Sequence, residues 1–158
     1  GRMDVRLIEL PRARAAFSGV ATEEEPFADG SVLSRFDAWF SDRVDPLPLA
    51  PRDLMWFDET AGGLAWAWHL QPDESAEEWA EIELPGGLYA TAVCRDPDPA
   101  DGERVLALIK NWIAESPFAE AITPARPVAF RIVTPAVARD ALGYHQMELL
   151  VPITRLES

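Results

Sequence analysis

The chain has 158 residues, 27 acidic and 14 basic, and a formal net charge of −13. Because that charge repels phosphate backbones and anionic lipid headgroups, we expect no direct nucleic-acid partner and no membrane partner. A hydrophobic content of 48% with 26% charged residues is typical of a globular protein, and the length favours one domain.

The first element in the chain is a strand that ends in Ile8-Glu9-Leu10-Pro11, and the same tetrapeptide recurs as Ile82-Glu83-Leu84-Pro85. The offset of 74 residues is close to half the chain, which predicts an internal repeat if the later elements follow in the same order. They do. A second apolar stretch follows each tetrapeptide, at residues 13–20 and 88–93, and we expect it to pair with the strand before it.

A helix comes next in each half. Ser31 is an N-cap residue ahead of an apolar face at helical spacing, and Asp98 with Pro99 marks the start of the second helix. The apolar face of the first helix is formed by Val32, Phe36, Trp39 and Phe40. Trp112 lies on the second helix, 73 residues after Trp39.

Proline-rich connections at residues 46–51 and 124–127 end the helices, and two strands close each half. The closing strands are predicted at residues 53–58 and 64–70, then at 128–134 and 146–153. Each half is thus a ββαββ unit. We expect one α+β domain over residues 3–158, made of repeats at about 3–72 and 78–156. The two units would be related by a pseudo-twofold axis, with antiparallel sheets, helices packed on one side and a central ligand cleft.

Three segments resemble the GyrI-like small-molecule effector-binding domains, which form the ligand-sensing part of multidrug-responsive MerR-type and AraC-type transcription activators. These are residues 84–90 (LPGGLYA), 108–116 (LIKNWIAES) and 147–153 (MELLVPI). The resemblance implies a protein that binds multidrug-like small molecules and takes part in transcription regulation. The single cysteine, Cys94, fits a reducing cytosol. We expect it to act without touching DNA itself, either through a protein partner or as a homodimer.

Glu148 matches the glutamate that pairs with cationic ligands in the cleft of this family. Strand alternation places it on one face with Leu150 and Pro152, where a carboxylate is costly unless a cation or a hydrogen-bond donor meets it. The alternative is an ordinary strand glutamate paired with Arg131 on an adjacent strand.

Aromatic residues sandwich the ligand rings in this family, and Trp66 and Trp68 are the first candidates here. They stand two apart in a strand, so their rings share a face and can form a wall for an aromatic or cationic group. The alternative is core packing under the first helix, and Trp56 is a third tryptophan that could line the cleft. The remaining predicted ligand-binding residues are Tyr89, Trp112, Phe130 and Tyr144.

Three functions are compatible with these residues. The first is small-molecule binding as a stand-alone sensor or sequestering protein for cationic, aromatic or amphipathic compounds. The second is implied by the resemblance, because some stand-alone members of this family hydrolyse reactive aromatic electrophiles. In such a hydrolase Glu148 would activate water, and Tyr89 or Tyr144 would donate a proton. The third is a protein–protein inhibitor like the gyrase inhibitor that names the family.

No cofactor or metal site is predicted. His69 and His145 lack metal-ligand spacing, and a single cysteine, Cys94, cannot form an intramolecular disulfide or a cysteine cluster for zinc.

Overall fold

The computed structural model describes residues 4–43, 51–134 and 136–156. This part of the chain is α+β and contains nine strands and three helices. The strands are β1 (Arg6–Leu10), β2 (Ala13–Ala21), β3 (Asp53–Asp58), β4 (Gly63–His69), β5 (Ala80–Leu84), β6 (Gly87–Asp96), β7 (Phe118–Glu120), β8 (Ala129–Ile132) and β9 (His145–Arg155). The helices are α1 (Val32–Ser41), α2 (Pro99–Ala114) and α3 (Ala136–Leu142). None of these helices is long and apolar enough to cross a bilayer.

The strands form one antiparallel sheet in the order β1-β6-β9-β8-β3-β4-β2-β5, and β7 extends it by pairing with the end of β9. Both α1 and α2 pack on one side of it, which we call the helix face. The predicted fold class is therefore confirmed. Exchanging β1, β2, β3 and β4 with β5, β6, β8 and β9 in turn gives the same strand order read backwards, although the superposition of the halves remains a prediction.

The two long helices begin at the N-cap residues that the sequence predicts. The Ser31 hydroxyl accepts a hydrogen bond from the Ser34 N–H at 3.2 Å, and the Asp98 carboxylate accepts one from the Asp101 N–H at 3.1 Å. Each bond satisfies one of the N–H groups that a helix start leaves free. The Pro-rich link predicted at residues 46–51 falls almost wholly on 44–50, outside the described residues.

The predicted pairing of each half's first two strands is wrong. Strand β1 pairs with β6 of the other half, where Ile8 lies opposite Tyr89, and β5 pairs with β2, where Ile82 lies opposite Ala15. A two-residue hairpin turn needs a positive φ at its first central residue. Proline occupies that position in both links and its φ is fixed near −65°, so each strand crosses to the other half instead.

Two elements have no counterpart in the sequence prediction. Strand β7 is only three residues long, and its central Ala119 pairs with Thr154 of β9. Helix α3 lacks a buried apolar stripe, since Val137 is 78% exposed and Leu142 is 46% exposed. Neither element carries the hydrophobic periodicity by which strands and helices are recognised in a sequence.

The link between β1 and β2 (residues 11–12) and the link between β5 and β6 (residues 85–86), which we call the edge links, meet at Gly86. Gly86 has a φ of +68°, and a Cβ built on it would lie 2.4 Å from the Leu10 carbonyl oxygen and 2.7 Å from the Pro11 carbonyl oxygen. Gly86 precedes Gly87, which pairs with Leu10 of β1, so this contact continues the β1–β6 pairing. Strands β1 and β5 lie at opposite ends of the pairing order, yet only two residues separate β1 from β2 and β5 from β6. The sheet must curl to bring its two edges together.

We predict that Gly86→Ala lowers the free energy of unfolding by about 2 kcal/mol or more, because a left-handed φ alone costs about 1–2 kcal/mol and the backbone contact cannot yield. Gly102→Ala is the control, since Gly102 lies in α2 and a Cβ added there would have nothing within 4 Å. That change should stabilise by about 0.5–1 kcal/mol. Urea unfolding of both variants checks the pair, and similar stability changes would contradict the close contact.

Candidate functional site

The side of the sheet away from α1 and α2 carries a separate buried apolar cluster made of Leu54, Tyr89, Ala129 and Leu150. We call this side the open face. Ile8 and Leu10 of β1 pack against that cluster, and Ile82 of β5 packs against the neighbouring Ala15, Ala67 and Leu84. The two edge strands thus fold over the open face from opposite ends of the sheet.

A cavity of about 300 Å³ lies between the folded edges. We call it the open-face pocket. Its floor is formed by the central strands β3, β4, β6 and β8, and its walls by the two edge links and the loop before β8. It is lined by Leu10, Pro11, Leu54, Trp56, His69, Ile82, Glu83, Leu84, Pro85, Gly86, Tyr89, Pro124, Ala125, Arg126, Pro127 and Ala129.

Trp56 supplies the largest aromatic surface of the pocket. Alternation along β3 places Leu54 and Trp56 on the open face, while Met55 belongs to the core under α1. The indole stacks on Phe17 with a centroid distance of 5.8 Å and an interplanar angle of 5°. Trp56 lies opposite the small side chain of Ala129 in the β3–β8 pair, which leaves space above the strands.

Arg126 is the cationic member of the described pocket lining. Its Nη2 donates a hydrogen bond to the Leu88 carbonyl at 2.6 Å, and its guanidinium carbon lies 4.7 Å from the centre of the Tyr89 ring. Its Nε is buried and has no hydrogen-bond partner among the described residues. A second charged group in the lining, Glu83, is exposed and forms an ion pair with Arg12.

His69 lines the pocket on β4 and is half-buried. Burial lowers the pKa of the His69 imidazole below its ordinary value, and the positive charges of Arg131 and Arg52 lower it further. The imidazole is therefore neutral at pH 7, where it can accept or donate a hydrogen bond without adding charge to the pocket.

Glu148 lies on the open face, as its alternation with Leu150 predicts, but its carboxylate is already paired. The Arg131 Nε donates a hydrogen bond to Glu148 Oε1 at 2.7 Å, and both side chains are only 14% exposed. The two residues are direct neighbours across β8 and β9. In the structure Glu148 is thus paired with Arg131, as in the alternative interpretation of this residue.

Trp66 and Trp68 lie on the helix face and are 8% and 4% exposed. The Trp66 indole N–H donates to the Asp53 carboxylate at 3.0 Å, and burial raises the pKa of that carboxyl despite the bond. The Arg52 guanidinium covers the Trp68 ring at 3.7 Å. The two tryptophans are therefore separated from Glu148 by the sheet, and the structure does not bring them into one cleft with it.

The other predicted site residues are dispersed. Tyr89 lines the open-face pocket and is 4% exposed. Phe130 packs between the two helix-face cores, and Trp112 of α2 stacks on Phe118 at 6.4 Å. Tyr144 precedes β9 and lies under the Arg95 guanidinium at 4.5 Å. Of the seven predicted residues, Tyr89 alone is part of the pocket lining.

The sequence does not predict Arg126 or Ala129 as site residues, and it gives His69 only as a histidine without metal-ligand spacing. Arg126 lies in the Pro-rich link, where no periodicity predicts which way a side chain points. One signal does exist for Ala129, because small residues on one face of a central strand leave space for a ligand.

Cys94 is buried in the core under α2. Burial, with added repulsion from Asp101, Asp96 and Asp98, raises the pKa of its thiol to about 11. The group is therefore a thiol at neutral pH and a poor nucleophile.

The sequence matches no known protein family, and no curated protein has a significantly similar sequence. Solved structures do match. SAV2435 bound to tetraphenylphosphonium superposes with a TM-score of 0.58 and 12% identity over 96% of this chain and 94% of that chain. The EcmrR C-terminal domain superposes with a TM-score of 0.62 and 7% identity over 98% of this chain and 99% of that chain. This chain shares the fold of these two proteins, in agreement with the resemblance to the GyrI-like domains. A hydrolase from Listeria innocua also shares it, with a TM-score of 0.63 and 11% identity over 97% and 93% of the two chains.

The ion pair predicts a structural cost for losing Glu148. Glu148→Gln leaves the Arg131 charge half-buried without its partner, and we expect a loss of about 1.5–3 kcal/mol in the free energy of unfolding. The double variant Glu148→Gln/Arg131→Gln should lose less than the sum of the two single variants, by about 0.5–3 kcal/mol. Glu103→Gln on the exposed side of α2 is the control. Additive losses in denaturant unfolding would show that the two groups do not interact.

Proposed function

We propose that this chain binds a small aromatic or amphipathic organic molecule in the open-face pocket, as a sensor or sequestering protein. The observation that carries the proposal is the pocket itself, a mostly apolar cavity of about 300 Å³ with a stacked indole on its floor. That volume lies at the lower end of the range for small-molecule sites, about 300–1,000 Å³. A few polar groups, His69 and Arg126 among them, stand in a mostly apolar lining, which is the usual composition of such sites.

The fold comparison supports the proposal. SAV2435 was solved with tetraphenylphosphonium, an aromatic cation, and the sequence of this chain also predicts a preference for cations through Glu148 and the charge of −13. Here, however, Arg131 neutralises Glu148, so a cation gains that carboxylate only by displacing the arginine. We therefore propose that the ligand is recognised by its aromatic or amphipathic character, and not by a positive charge.

Hydrolysis is less well supported by the geometry. Tyr89 lies opposite Pro152 on β9, four residues from Glu148, which is about 13 Å along a strand. Tyr144 lies four residues from Glu148 in the other direction and contacts Arg95. These backbone separations do not favour either tyrosine as the acid–base partner of Glu148, since such partners must reach the same reacting group.

The proposal predicts different effects for two neighbouring aromatic residues of β3. Trp56 lines the open-face pocket, whereas Phe57 is 52% exposed on the other side of the strand. Trp56→Leu should weaken binding of the neutral fluorescent probe N-phenyl-1-naphthylamine by roughly three- to ten-fold, because aromatic contacts contribute about 0.5–1.5 kcal/mol beyond area. Phe57→Leu should leave the affinity unchanged.

The measurement is a fluorescence titration of each variant after thermal unfolding has confirmed that it is folded. Equal affinities for the wild-type protein and Trp56→Leu would place the binding site elsewhere. No binding by the wild-type protein would contradict small-molecule binding of this class.

A further inference from the structure

Arg126 is held at the pocket wall by contacts that leave its charge unpaired. Gly87 makes room for it, because a Cβ at that position would lie 2.8 Å from Nη2 and 2.9 Å from the guanidinium carbon. The Tyr89 ring packs against the guanidinium, and the Leu88 carbonyl accepts one hydrogen bond from it. None of these contacts is a carboxylate.

The other arginines near the cavity have acidic partners. Arg12 at its rim pairs with Glu83, and Arg131 and Arg52 pair with Glu148 and Glu74. Arg126 forms no ion pair within the part of the chain that the structure describes, although the protein has 27 acidic residues. Its buried Nε has no acceptor there either, and an unsatisfied charged donor costs more than a neutral one.

We propose, on the basis of the proposed function, that Arg126 receives an anionic group of the ligand, such as a carboxylate or sulfonate. The pocket then takes an amphipathic aromatic anion, whose rings lie against Trp56 and whose acid group lies at Arg126. A guanidinium has five N–H donors, and the Leu88 carbonyl accepts from one group of Arg126, its Nη2, so donors remain for an acid group.

The test compares two probes with the same anilinonaphthalene rings, the anion 1-anilinonaphthalene-8-sulfonate and neutral N-phenyl-1-naphthylamine. Arg126→Gln should weaken binding of the sulfonate by roughly ten-fold or more and leave the neutral probe within about two-fold. Arg12→Gln, at an exposed and paired arginine of the same rim, should change neither affinity by more than about two-fold.

A second measurement needs no variant. In the wild-type protein, the NMR signal of the Arg126 Nε–H should shift on addition of the sulfonate and stay in place with the neutral probe. If Arg126→Gln weakened the binding of both probes equally, or if the Nε–H signal did not shift with the sulfonate, Arg126 would not be the residue that receives the anionic group. Failure of the neutral probe to bind the wild-type protein would contradict the proposed function itself, and this inference with it.

Discussion

The two-residue links β1–β2 and β5–β6 are the constraint on which the site depends, because each joins strands near opposite ends of the pairing order. Proline in each link prevents a tight hairpin, so each edge strand crosses and pairs with the other half. The sheet then has to curl until its two edges touch, and the curl encloses the open face. Without that closure, the lining residues would form an open apolar surface, and not a cavity.

The two faces of the sheet have different roles because their side chains differ in size. On the helix face, Trp66 and Trp68 fill the space under α1 together with Phe36 and Phe40. On the open face, Trp56 is surrounded by smaller neighbours, among them Ala129 and Ala67. Close packing excludes a ligand from the first face, whereas small residues under a folded edge leave a cavity on the second.

Much of the fold follows from local sequence signals. Ser31 and Asp98 are N-caps, and alternation along β9 places Glu148 and Leu150 on one face as the structure has them. The position of the pocket does not follow in the same way. Large and small side chains alternate clearly along residues 64–70, but this alternation does not tell which face of the strand packs against the helices. Arg126 lies in a loop, where the sequence has no periodic pattern that would predict its direction. The exchange of the edge strands also depends on long-range pairing, which local patterns do not specify.

The central claim is that ligands bind on the open face beside Trp56, and the indole N–H signals of the six tryptophans test it most directly. Trp56 lines the pocket, whereas the Trp66 indole N–H is bonded to Asp53 in the helix-face core. In a titration with N-phenyl-1-naphthylamine, followed by ¹H–¹⁵N NMR with Trp→Phe variants for assignment, the Trp56 signal should shift and the Trp66 and Trp68 signals should stay. Shifts of Trp66 and Trp68 with an unchanged Trp56 signal would contradict the account.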